Sequence, residues 1–134
     1  MTVFFDTNIL VYGFLDLEKR GRALDVMADG GVISAQLLNE FTNVARTRRG
    51  IPWPEIEAAI AVIRDQFDEI VPLTDETHAA AVMLARDHGF AFFDALIVAA
   101  AVSAGCDTLY SEDMHHGGRY AGLTIINPFR DGAG

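Results

Sequence analysis

Short runs rich in β-branched and aromatic residues alternate with longer stretches of helical period along this chain, which calls for strands and helices in turn around a parallel sheet. The runs expected to form strands are Val3-Phe5, Gly31-Ser34, Glu69-Leu73, Thr108-Tyr110 and Leu123-Ile126. Ile56, Ile60, Ile63 and Phe67 recur at helical spacing, with Pro54 and Glu55 suited to a first turn, so a helix is expected over Pro54-Phe67. Another is expected over Ala35-Arg48, where Leu37, Phe41 and Val44 form an apolar stripe and Gly50 ends the pattern. Glu18-Asp29, Asp75-His88 and Asp94-Ala104 are the remaining helical stretches, and Gly117-Gly118 marks a loop. With 134 residues and no internal repeat, low-complexity segment or linker, the chain is expected to form one domain over 1–134.

Composition removes several classes of function. Hydrophobic residues make up 51% and charged residues 22%, enough apolar material for a core and too much for a disordered chain. Cys106 is the only cysteine, so neither an internal disulfide nor a cysteine-rich metal site is expected, and a reducing cytoplasm is the natural compartment. No export signal is visible, and the longest apolar run, Ala95 to Ala104, is far short of the roughly 20 residues of a membrane span. The net charge of −9 is the opposite of a nucleic-acid binder's usual footprint.

The acids carry the chemistry. Asp6 directly follows the strand Val3-Phe5, Asp113 closely follows Thr108-Tyr110, and Asp94 opens an apolar helix. Open α/β sheets bind ligands outside the carboxyl ends of their strands, so Asp6 and Asp113 should meet there with Asp94 at a helix mouth. Glu40 lies three residues after Leu37 and four before Val44, beside an inward-facing stripe where an unpaired charge is costly. Such a group of carboxylates repels itself unless a cation neutralises it. Oxygen ligands without cysteine or clustered histidine suit Mg²⁺, with Mn²⁺ the alternative. A bound divalent ion acidifies water and steadies the oxygens of an in-line displacement, so phosphodiester hydrolysis fits the parts. Cations totalling +4 at these acids would bring the net charge only to about −5.

Taken in order, the strand followed by Asp6-Thr7-Asn8, Glu40 within a helix, Phe93-Asp94 opening another, and Leu109-Tyr110-Ser111-Glu112-Asp113-Met114 resemble the PIN domain, most closely the single-domain VapC-type toxins. The resemblance spans the chain. It implies a three-layer α/β/α fold with a central, mainly parallel sheet, frequent homodimers, metal-dependent ribonuclease activity with Mg²⁺ or Mn²⁺, and inhibition by a cognate antitoxin. It further implies structured RNA such as transfer RNA as substrate. The family's acids map onto Asp6, Glu40, Asp94 and Asp113 as metal ligands and catalytic groups, with Glu40 either a ligand or a water-orienting base. Thr7 or Ser111 resembles a hydroxyl that helps hold metal or phosphate, and Asn8 matches the motif. Many relatives carry a further acid two or three residues beyond the last aspartate, where this chain has His115 and His116.

Each residue also has a plainer reading. Asp6 and Asp94 could serve as helix N-caps, Glu40 could lie on a rotated surface helix, and Glu112 competes with Asp113 as the inward acid. Arg46, Arg48 and Arg49 could contact phosphates, meet an acidic partner, or simply complement a helix dipole. Trp53 could stack on a base or pack against a neighbour, and Phe90, Phe92 and Phe93 read as core or dimer interface. Two other functions are conceivable: a PIN-fold interaction protein without catalysis, and a receiver-type phosphorylation switch. The second normally needs a lysine in its acid pocket, and the single lysine, Lys19, lies far in sequence from any later strand end. A P-loop is excluded because there is no Gly-Lys-Ser/Thr run.

Overall fold

In the computed structural model, which describes residues 2–130, the elements run β1 (Val3–Phe5), α1 (Thr7–Leu15), α2 (Arg20–Met27), β2 (Val32–Ser34), α3 (Ala35–Asn43), α4 (Trp53–Gln66), β3 (Glu69–Val71), α5 (Asp75–His88), α6 (Phe92–Ser103), β4 (Thr108–Tyr110), β5 (Arg119–Tyr120) and β6 (Leu123–Ile126). A π-helical turn, Val44–Arg48, extends α3. The six strands form one sheet in the order β3-β2-β1-β4-β6-β5. Every pairing is parallel except that of β5 with β6.

Helices cover both faces of this sheet, giving the three-layer α/β/α architecture. The central strands show why: Phe4 and Phe5, consecutive residues pointing to opposite faces, are both fully buried, and all three residues of β2 are buried. The Phe5 ring packs on Phe67 and Tyr110 at centroid distances of 5.3 and 5.7 Å. α1 packs against α2 and α3, while α5 packs against α6. Gly31 leads into β2 at φ +137°, where a Cβ would lie 2.6 Å from the Phe5 ring and 2.8 Å from the Val3 carbonyl oxygen. Only glycine meets both demands.

The structure revises the sequence reading at several places. α1 was not anticipated, because its sequence is apolar almost throughout and Ile9, Leu10 and Val11 are all buried, leaving no amphipathic period. The strands Gly31-Ser34 and Glu69-Leu73 are shorter than expected, and Glu18-Asp29 is helical only over Arg20–Met27. Regular α-helix stops at Asn43 instead of continuing to Arg48. Beyond Gly117-Gly118 the chain forms the edge strand β5, joined to β6 through Ala121 and Gly122, both at positive φ. α6 begins at Phe92, two residues before Asp94. Among the described residues, no helix is long and apolar enough to cross a membrane.

Candidate active site

The sheet reverses its winding at β1: β2 and β3 extend to one side, β4 and β6 to the other. This is a topological switch point, where the carboxyl ends of β1 and β4 leave room for a ligand. The backbone ladder continues past β1, with the Asp6 N–H donating to the Tyr110 carbonyl at 2.9 Å. Asp6 then caps α1, its carboxylate accepting from the Thr7 N–H at 2.6 Å. The same carboxylate accepts from the Ser111 hydroxyl at 2.7 Å. The cap and the polar cluster coexist in one side chain.

Glu40 reaches this place from α3, a helix begun by Ser34, whose hydroxyl accepts from the Leu37 N–H at 3.1 Å. The Thr7 hydroxyl donates to Glu40, and Gln36, one turn earlier, donates to its other oxygen at 3.4 Å. Asp94 lies in the first turn of α6, which has no side-chain cap, so its carboxylate is not engaged as an N-cap. Asn8 stands on α1 beside Thr7 with both polar atoms of its amide buried and without a hydrogen-bond partner among the described residues.

Electrostatics link the four acids. Burial pushes the Asp6 carboxyl up to about 6, and the charges of Asp94 and Glu40 push the same way against the lowering effect of the Ser111 and Thr7 hydrogen bonds. Asp94 is also raised, first by desolvation and then by the charges of Asp113 and Glu40. Asp94 is therefore raised by two of the other acids and itself raises the third, Asp6. Among the described residues no lysine or arginine forms a salt bridge with any of the four.

Glu112, the competitor of Asp113, is held elsewhere. It accepts from the Tyr12 hydroxyl at 2.7 Å and from the Lys19 ammonium at 2.9 Å, and that ammonium lies 4.4 Å from the Tyr12 ring centre. Distance in sequence therefore misplaces Lys19: the turn before α2 folds it back onto the segment after β4. His116 is turned toward β6, its Nδ1 accepting from the Asn127 N–H at 3.0 Å, and His115 is exposed. Of the three phenylalanines read as core or interface, Phe90 and Phe92 are half-buried against Tyr120 and His78, whereas Phe93 is 59% exposed. The supporting residues Gln36 and Tyr12 escaped the sequence reading. Gln36 was findable, because four residues before Glu40 on a helix is the same face.

Among the described residues, no three His, Cys, Asp or Glu side chains converge closely enough to hold a metal ion as they stand. The donor chemistry nonetheless fits a hard divalent cation. Every group is an oxygen, their mutual repulsion is uncompensated, and an amide with both polar atoms unsatisfied stands next to Thr7.

A mainly parallel α/β/α sandwich with an acidic cluster at its switch point defines the class, and the PIN domain profile matches residues 3–116. The chain belongs to the PIN domain family. Solved structures with the same fold include a toxin-antitoxin complex from Klebsiella pneumoniae, at 20% identity and TM-score 0.73 over 96% of this chain and 98% of that one. VapC20 of Mycobacterium tuberculosis, described as a Sarcin-Ricin loop cleaving toxin, matches at 21% identity and TM-score 0.68 over 84% of this chain and 90% of its own. VapBC2 from Rickettsia felis, bound to a DNA fragment from its promoter, matches at 18% identity and TM-score 0.68 over 95% and 98%. No curated protein sequence matches the chain.

Proposed function

We propose that this protein is a divalent-metal-dependent endoribonuclease, the toxin of a type II toxin-antitoxin pair, working in the cytoplasm as a homodimer until a cognate antitoxin blocks it. The observation that carries the reading is the linked set Asp6, Asp94, Glu40 and Asp113, in which burial and then the charges of Asp94 and Glu40 raise Asp6 while, among the described residues, no lysine or arginine forms a salt bridge with any of the four. A buried carboxylate such as Asp6, set beside further acids without a counter-charge, is costly to keep unless a cation uses it. The toxin-antitoxin neighbours sharing the fold support the biological setting.

In this reading Asp6, Asp94 and Asp113 hold Mg²⁺ or Mn²⁺, and Glu40 either joins them or orients the attacking water. When bound, the cation supplies Lewis acidity toward a phosphodiester and a more acidic water. The chain's own contribution is positional. Ser111 fixes one Asp6 oxygen, the Thr7 N–H fixes the other, and the Thr7 hydroxyl and Gln36 aim Glu40. The Asn8 amide, buried on α1 without a partner among the described residues, has no assigned role in this reading. Transfer RNA or another structured RNA is the substrate class this reading favours.

The test is cleavage of a structured RNA pool by purified, antitoxin-free protein with Mg²⁺ or Mn²⁺ and with chelator, alongside Asp94→Asn prepared identically. Metal-dependent cleavage by wild type alone is the expected result. Identical behaviour of the two preparations overturns it in favour of a PIN-fold interaction protein.

A further inference from the structure

α3 does more than carry Glu40. Asn39 and Asn43 are exposed on the same helix and line a groove of about 490 Å³ that begins at Thr7 and Glu40. Phe93, adjacent in sequence to Asp94, lines the same groove with 59% of its surface exposed. Arg48 lines it too. In a π-helical turn the hydrogen bonds run between residues five apart, here from the Arg49 N–H to the Val44 carbonyl at 3.2 Å. That extra residue per turn brings Arg48, five residues beyond Asn43, to the wall that Asn43 lines.

A second groove, of about 430 Å³, shares Asn39 and Asn43 with the first and leads on to Arg46 and Trp53. Trp53 is 48% exposed, and the Arg46 guanidinium lies 5.2 Å from its ring centre. Among the described residues no carboxylate forms a salt bridge with Arg46 or Arg48. An exposed aromatic ring is ordinary on its own. Here two such rings stand along one continuous polar track, amides and arginines lie between them, and the track ends at Thr7, Glu40 and the Phe93 that precedes Asp94.

We infer that this track, from Trp53 past Asn43 and Arg48 to Phe93, binds a single-stranded stretch of RNA leading into the acidic site. The inference rests on the ribonuclease reading and supplies its substrate path. Phe93 and Trp53 stack on bases, Arg46 and Arg48 meet phosphates, and the Asn39 and Asn43 amides are placed for base edges. Single strands fit because a protein ring can stack only on a base that has left its own stack. With two arginines on the track, the logarithm of affinity should fall against the logarithm of salt with a slope of roughly −1 to −2. Such a shallow dependence reconciles RNA binding with a net charge of −9.

Trp53 is the only tryptophan in the chain, so its emission reports on the track directly. The experiment titrates a short single-stranded RNA of random sequence into Asp94→Asn protein in chelator, where nothing is cleaved. Saturable quenching is expected, with apparent affinity weakened about tenfold by Phe93→Ala and by Arg48→Ala, recovered in Phe93→Tyr, and not competed by double-stranded RNA. Melting curves of these exposed-site variants serve as the folding control. Unquenched Trp53 emission, or variants that bind as tightly as their parent, overturns the track. So does emission that changes with protein concentration alone while light scattering reports a dimer, because a second copy then covers Trp53. Cleavage separates the two readings: Asp94-dependent cleavage unaffected by Phe93→Ala or Trp53→Phe removes the track and leaves the ribonuclease, whereas stacking without cleavage by wild type removes the ribonuclease and leaves an RNA-binding track.

Discussion

The Ser111 hydroxyl donates to the Asp6 carboxylate at 2.7 Å, joining the end of β4 to the end of β1 at the point where the sheet changes its winding direction. Ser111 is fully buried, and its oxygen also accepts from the Met114 N–H at 3.3 Å. One hydroxyl thus holds an acid on one strand and the backbone that leads past Asp113 on the next.

Ser111→Ala should therefore destabilise the fold by about 1–3 kcal/mol, because it removes a donor from a buried carboxylate and the partner of a buried N–H together. Urea unfolding at neutral pH measures it. A change within about 0.5 kcal/mol, the range of an ordinary surface substitution, would show that water replaces the hydroxyl without loss.

Asp94→Asn should raise stability in chelator. The Asp94 charge opposes ionisation of Asp6 and is itself opposed by Asp113 and Glu40, so its removal relieves repulsion. Asp94 is only partly buried, which limits the gain to about 1 kcal/mol and a few degrees of melting temperature. Under the metal-dependent reading, Mg²⁺ or Mn²⁺ should stabilise wild type by mass action and do much less for the variant. A variant that melts lower in chelator and responds to metal like wild type contradicts both the repulsion and the ligand role.

How much of this was legible from the sequence depended on how one-sided the burial is. α4 and α5 were readable because polar residues alternate with apolar ones at a helical period, and β4 and β6 because short apolar runs are bounded by turn residues. α1 was hidden because burial of its central residues erases the period, although Asp6 as an N-cap was a correct local clue. β5 is two residues long, and the π-helical turn differs from α-helix only in hydrogen-bond register, so neither leaves a pattern in composition. Of the candidate site, the four acids stand out in the sequence as residue types after strands and within helices, and their electrostatic linkage is a property of the folded chain. Glu112 and Asp113 are neighbours of the same charge, and only the fold shows that Tyr12 and Lys19 hold the first while the charge of the second, exposed residue acts on Asp94.

Gly31→Ala should be among the costliest single-methyl additions in the chain. At φ +137° the new Cβ meets the Phe5 ring at 2.6 Å and the Val3 carbonyl at 2.8 Å, and both belong to the central strand. Backbone strain and overpacking add to about 3 kcal/mol or more. Gly50→Ala is the control: its φ is +61° and no atom lies within 4 Å of the new Cβ, so backbone strain of about 1–2 kcal/mol is all it carries. Equal losses in thermal or urea unfolding would show that β1 can yield.

The pH dependence of stability in chelator should carry the signature of Asp6. Its carboxyl is pushed up to about 6 from an ordinary 3.8, chiefly by burial, so between those values the folded chain holds a proton that the unfolded chain releases. Asp6 therefore favours folding least above about pH 6, and its contribution improves as pH falls toward 4, by about 3 kcal/mol in all. Asp87 and Asp107, whose carboxyls are lowered by Arg86 and by Thr108 respectively, act in the opposite sense, but only as pH falls below the ordinary carboxylate range. Melting temperatures should therefore fall as pH rises from about 4 to 6 in wild type, level off between 6 and 8, and lose this component in Asp6→Asn. Saturating Mg²⁺ should flatten the wild-type curve, because a cation on Asp6 favours its ionised form. A wild-type curve that rises steadily with pH in chelator, or one with the same slope as Asp6→Asn, would mean that solvent or a rearranged side chain already neutralises the Asp6 charge.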